Sequence, residues 1–147
     1  MADVFYNLAK KQIMDGTIDL VVDDIQVLLI ASTPYTPDAD HDFIDESGAS
    51  DIVDAELSGA GYARKSLATK TIVEDDPNNR AEYNADDLAY TGADFGTIAA
   101  VIVFKNTGVD TTSVVIAYLD TLTGLPLVTN GGNVDIAWNA EGILQLT

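Results

Sequence analysis

Beyond residue 24, the apolar residues of this chain come in short runs rich in Val, Ile, Thr and Tyr, cut apart by Gly, Asn, Asp and Pro clusters. That punctuation admits β-strands and leaves no room for long helices. Residues 25–31, 97–105 and 113–120 are nearly continuous apolar runs, the pattern of central strands covered on both faces. Residues 80–86 alternate polar and apolar without a slip, and residues 67–74 do so over most of their length. Such alternation predicts strands with one wet face. Three turn clusters, Asn106–Thr107–Gly108, Asn130–Gly131–Gly132–Asn133 and Asn139–Ala140–Glu141–Gly142, are each expected to reverse the chain between neighbouring strands. About eight short strands with at most one helix predict an all-β fold, an antiparallel β-sandwich of jelly-roll kind. A parallel sheet would need intervening helices.

The one expected helix covers residues 3–14, where Phe5, Leu8, Ala9 and Ile13 would share a face and Asp15–Gly16 would end it. It would serve as a cap on the sandwich or as an arm that docks on a partner. Residues 32–54 break the pattern with Thr33–Pro34, Thr36–Pro37, many acids and little periodicity. They predict a long loop, and loops of more than about a dozen residues are usually functional or disordered. Asp75–Asp76–Pro77–Asn78–Asn79 reads as a shorter exposed turn.

A chain of 147 residues is one ordinary domain, taken here as 1–147. It has no cysteine, so a disulfide framework, a thiolate nucleophile and cysteine-based metal sites are ruled out. The 24 acidic residues against 7 basic ones give a formal charge of −17. Such a charge repels phosphate backbones and anionic lipid, so neither nucleic acid nor membrane is an expected partner. The longest apolar run, residues 98–104, is far shorter than the ~20 residues of a spanning helix. The start, MADVFYNLAKK, lacks the basic and apolar regions of a secretory signal, and synthesis in the cytoplasm is expected.

Candidates for chemistry are few. The lone histidine, His41, lies in Asp38–Ala39–Asp40–His41–Asp42; a Ser–His–Asp triad around it is far less expected than a surface histidine. Asp38, Asp40 and Asp42 imitate the start of a calcium loop, but Phe43 stands where glycine belongs and Ala49 where a bidentate glutamate belongs. Gly59–Ala60–Gly61 is followed by Arg64 in place of a third glycine and opens no helix, so it reads as a turn or bulge and not as a phosphate cradle. Trp138, in an alternating segment, is expected in the core, with sugar stacking as the alternative. Paired carboxylates for glycoside hydrolysis remain open on sequence alone, because spacing along the chain does not give their separation. No catalytic, cofactor-binding or metal-ligating residue is assigned, and the chain is expected not to be an enzyme.

The opening FYNLAKKQIMDGTIDLVVDDIQVLLI, the loop YTPDADHDFIDE, the segment ELSGAGYARKSLATKTI and the closing VTNGGNVDIAWNAEGILQLT resemble a group of small structural proteins of tailed bacteriophages. The resemblance runs nearly end to end. It implies a head decoration or cement protein, a β-sandwich subunit that is usually trimeric. Such a protein sits on the outer capsid surface of the virion and staples neighbouring copies of the major capsid protein. No enzymatic residues and no cofactors come with it. Acidity agrees with an exterior position, where repulsion from anions is harmless and discourages particle clumping. Two alternatives stand beside this reading. One is a tail or tailspike component of the same fold; the other is a glycan-binding module using Tyr35, Tyr62 and Tyr90.

Overall fold

The computed structural model describes residues 3–46, 48 and 50–147. It is an all-β fold with one helix, as the apolar runs require. The elements in chain order are β1 (Val4–Phe5), α1 (Asn7–Met14), β2 (Ile25–Ile30), β3 (Lys65–Ser66), β4 (Thr71–Asp75) and β5 (Arg80–Asn84). They continue with β6 (Leu88–Tyr90), β7 (Thr97–Ile98), β8 (Ala100–Lys105), β9 (Val115–Leu119), β10 (Leu127–Val128), β11 (Val134–Ile136) and β12 (Leu144–Leu146).

The main sheet has the order β1-β9-β8-β2-β3 and is antiparallel throughout. Its centre is made of the three apolar runs. β8 and β9 are buried along almost their whole length, and β2 shows only Gln26 in part. Register explains why no wet face is needed. Leu28, Ile102, Tyr118 and Val4 line up across four strands, while Val27, Val103, Ala117 and Phe5 line up on the reverse, and both rows meet protein. The first row faces residues 32–54, whose Tyr35 ring lies 6.4 Å from that of Tyr118. Phe5, in the second row, faces Tyr83 and Leu144 of the other layer.

That other layer is one long ladder with interruptions. β5, β6 and β7 run in sequence against β12, β11 and β10, all antiparallel, and β4 adds to the outside of β5. This corrects two of the three expected reversals. Asn106–Thr107–Gly108 does join the paired strands β8 and β9. The clusters at 130–133 and 139–142, however, are gaps within the ladder, since their flanking strands pair elsewhere. In the first gap Gly131 N–H donates to Ala93 and Ala93 N–H to Gly132. The glycines there let the ladder bend around the core without losing its backbone partners. At the second gap Trp138 donates its indole N–H to the Asp86 carbonyl at 2.9 Å. The run 97–105 is likewise broken at Ala99, where the chain crosses from the ladder into the main sheet. The turn at 75–79 closes the β4–β5 hairpin, with Asn79 left-handed at φ 53°.

The expected helix begins later than its apolar spacing implied. Val4 and Phe5 pair with β9 as an edge strand, and Asp3 caps the end of β9 by accepting from Asp120 N–H at 2.9 Å and Thr121 Oγ1 at 2.6 Å. Pairing satisfies backbone groups that the first turn of a helix leaves open, so the strand wins at residues 4–5. The helix end is as expected, with Gly16 at φ 78° beyond it. It caps the core with Ala9 fully buried.

Candidate functional site

The described residues of 32–54 form a long loop, as the sequence predicts, but a packed one. Tyr35, Ile44 and Ile52 are buried, and Phe43 bridges to Val114. A chain of hydroxyls fixes it to the rest of the protein: Tyr6 Oη and Tyr35 Oη lie 2.6 Å apart, and Tyr35 Oη is 3.3 Å from His41 Nδ1. Burial raises both phenols above their ordinary range, Tyr6 the more strongly, so both stay neutral. His41 is thus half-buried against Tyr35, with ring centroids 5.3 Å apart, and is not the solvated surface residue expected. Its hydrogen bond goes to a phenol and not to a serine, so no triad is formed around it among the described residues.

Several acids of this loop accept hydrogen bonds within the chain: Asp38 from the backbone N–H of Asp40 at 3.0 Å, Asp40 from the Asn7 side chain at 2.7 Å, and Glu46 from the backbone N–H groups of Asp42 and Phe43. Among the described residues no group of three His, Asp or Glu side chains could hold a metal ion; Ala49, the twelfth position of the calcium pattern, lies outside them. A wide cleft of about 670 Å³ opens beside the loop, lined by Asp38, His41, Glu46 and Asp51. Asp51 is buried. Its carboxyl is raised chiefly by desolvation, then by Asp54 and Asp45, with His41 opposing.

The other candidates resolve as architecture. Gly59 and Gly61 press against the chain at 91–95; a Cβ at Gly61 would lie 2.5 Å from the Thr91 carbonyl oxygen. Arg64 ties Glu56 (2.6 Å) to Asp110 (2.7 Å) and lies 5.5 Å from the centre of the Phe104 ring. Trp138 is half-buried against the core. The proposed sugar platform is corrected: Tyr35 and Tyr90 are buried, while Tyr62 stacks on Tyr90 and donates to Glu56 at 2.6 Å. Tyr35 packs instead on His41 and Tyr118, so the three rings form no exposed aromatic row.

Charge is distributed unevenly between the signs. Each of the seven cations is engaged within the chain. Lys11 pairs with Asp15, Arg64 with Glu56 and Asp110, Arg80 with Asp75 and Glu82, and Lys105 with Asp23. Lys70 donates to the Asp23 carbonyl, while Lys10 and Lys65 stand over the rings of Phe5 and Tyr90. The excess carboxylates are left to define the surface.

The feature that sequence reasoning missed is apolar. Ile72, Tyr83 and Leu144 form one row across β4, β5 and β12, and Glu74, Ala81 and Leu146 form the next row on the same face. Tyr83 is buried and donates to the Leu20 carbonyl at 2.9 Å. The ends of the rows overhang the core: Ile72 is 57% exposed and Leu146 60%. Beneath the overhang runs a narrow groove of about 70 Å³ with Phe5, Ile13 and Leu20 as its opposite wall. It continues past Ile72 to Ile18 and Asp19. Alternation along β4 and β12 sets which face Ile72 and Leu146 share; only the offset between the two layers leaves them uncovered.

No helix of the described residues is long and apolar enough to cross a membrane. Comparison with known proteins returned no match: no family model, no curated protein and no solved structure corresponds to the chain.

Proposed function

We propose that this chain is a virion structural protein of a tailed bacteriophage, a decoration or cement protein that adheres to the outer surface of the head and acts as a homo-oligomer, most simply a trimer. The observation that carries the adhesive reading is the overhanging apolar face of β4, β5 and β12 on an otherwise acidic subunit; the resemblance noted in the sequence supplies the virion. An apolar surface of this kind gains free energy by being covered, at about 25 cal/mol per Å². The polar cleft beside His41 offers no comparable gain.

Linking several such faces in one oligomer makes the second and third contacts intramolecular, so weak contacts add up to firm attachment. Binding to the assembled shell and not to its parts then stabilises the shell by mass action, by about 2.7 kcal/mol per site at a free concentration 100 times Kd. Purified protein added to undecorated heads raises their disruption temperature. A flat response at saturating protein rejects the cement role. Copy number per virion separates head from tail, with hundreds expected for the head.

A further inference from the structure

The outer edge of β4 offers more than an apolar patch. Among the described residues β4 pairs only with β5, and Thr71 to Glu74 are all exposed, so one whole row of its backbone N–H and C=O groups lacks strand partners. The groove crosses beneath β12 and β5 and reaches this edge at Ile72, the residue its two parts share. Its rim is acidic. Glu74 follows Ile72 on the groove face and has no cation within salt-bridge distance among the described residues, and Asp19 lines the far end.

The neighbouring cations are committed. Lys11 is paired with Asp15, and Arg80 is held by Asp75 and Glu82. Lys10 stands over Phe5 at the other end. A second copy would bring the same acids to the rim and only cations already in use. A polypeptide carrying Lys or Arg on either side of one or two apolar side chains complements both the groove and its rim.

Building on the adhesive reading above, we infer that β4 is a strand-addition site. It takes an extended segment of another protein, hydrogen-bonded along its free edge, with apolar side chains beside Ile72 and flanking cations at Glu74 and Asp19. Main-chain pairing supplies the affinity in such augmentation, and the side chains on one face supply the choice of partner.

The test uses the whole chain and the synthetic peptide Lys-Thr-Val-Thr-Ile-Thr-Lys, which as a strand presents Val and Ile between two lysines on one face. The controls are the isomer Lys-Val-Thr-Thr-Thr-Ile-Lys, which moves the apolar pair to the other face, and a version with Glu in place of Lys. Binding is followed in 150 mM salt by titration and by amide exchange. The expected result is slowed exchange at Thr71–Asp75, affinity at least tenfold above either control, and at least a fivefold loss in both Ile72→Lys and Glu74→Lys. Because exchange is read on the unmodified protein, the result stands even if a variant is poorly folded.

Equal binding of all three peptides, or protection at residues 38–46 in place of β4, overturns the inference. So does protection of β4 that grows with protein concentration and needs no peptide, since a second copy would then be the occupant. Head binding separates the two proposals. Heads that bind wild type and Ile72→Lys equally leave the cement role intact without β4. Heads that never bind, beside a β4-protecting peptide, leave the strand-addition site and remove the cement role.

Discussion

Replacing Arg64 with Met tests whether ion pairing or packing holds the segment 56–64 against the sheet. The Arg64 guanidinium meets both Glu56 oxygens, at 2.8 and 2.6 Å, and both Asp110 oxygens, at 2.7 and 3.0 Å. Glu56 hydrogen-bonds first among the causes that raise the Arg64 pKa far above the ordinary guanidinium range. Arg64 and Glu56 side chains keep only 25% and 15% of their exposure, against 37% for Asp110. Methionine keeps the packing on Phe104 and removes the charge. Breaking a fully buried pair costs 3–5 kcal/mol; with this residual exposure the loss should be about 2–3 kcal/mol. For a domain of this size that corresponds to about 5–10 °C in Tm.

Most of that loss comes from the stranded Glu56 carboxylate. Arg64→Met with Glu56→Gln, whose side-chain oxygen still accepts from Tyr62, should therefore recover about 1 kcal/mol relative to Arg64→Met alone. Urea unfolding followed by circular dichroism reads both numbers. Arg64→Met within 0.5 kcal/mol of wild type, or a double variant no more stable than the single one, would refute the reasoning.

Other outcomes follow from single positions. Gly61→Ala should cost more than about 2 kcal/mol, because it adds a left-handed residue and a clash with two backbone carbonyls; Gly92→Ala, equally left-handed but in open space, should cost about 1 kcal/mol, and the same unfolding curves compare them. Tyr83→Phe should lose about 1–2 kcal/mol by leaving the Leu20 carbonyl without its donor, with no change in the slope of the urea transition. Asp23 is held below its ordinary 3.8, chiefly by the Lys105 ammonium. Its contribution is complete above 3.8 and disappears as pH falls through the lower folded value. The stability gap between wild type and Lys105→Met should therefore be widest near neutrality and shrink below pH 3.8 in thermal melts across that range.

The elements legible in the sequence are those whose pattern has one structural solution. Residues 25–30, 100–105 and 115–119 are apolar but for Gln26 and Lys105, and such a strand must be covered on both sides. Asn7–Met14 has helical spacing and a glycine beyond its end. Val4–Phe5 fits helix and strand equally well by local pattern, and the open edge of β9 decides, which is a long-range fact. The Asn and Gly clusters at 130–133 and 139–142 carry turn chemistry that also serves a bulged ladder, and only the pairing partners tell the two apart. Ile72 and Leu146 look like inward-facing positions because alternation reports which face a residue lies on and not whether that face is roofed. The same limit applies to Tyr35 and Tyr90. A loop tyrosine in an acidic stretch has no local signal for burial, and its contact with Tyr6 is set by the path of the whole loop.

The order of the main sheet also bears on how the chain reaches its shape. Val4 pairs with Tyr118, and Leu28 with Ile102, so segments made early wait for partners made much later; only β8 and β9 are joined directly. Loop-closure entropy must be met before those pairings are rewarded. Assembly is therefore expected to be slow and to begin at β8–β9, with β2 and then β1 adding to a finished centre. A ribosome-bound chain ending before Ala100 would hold β2 with one edge open and only the short β3 beside it.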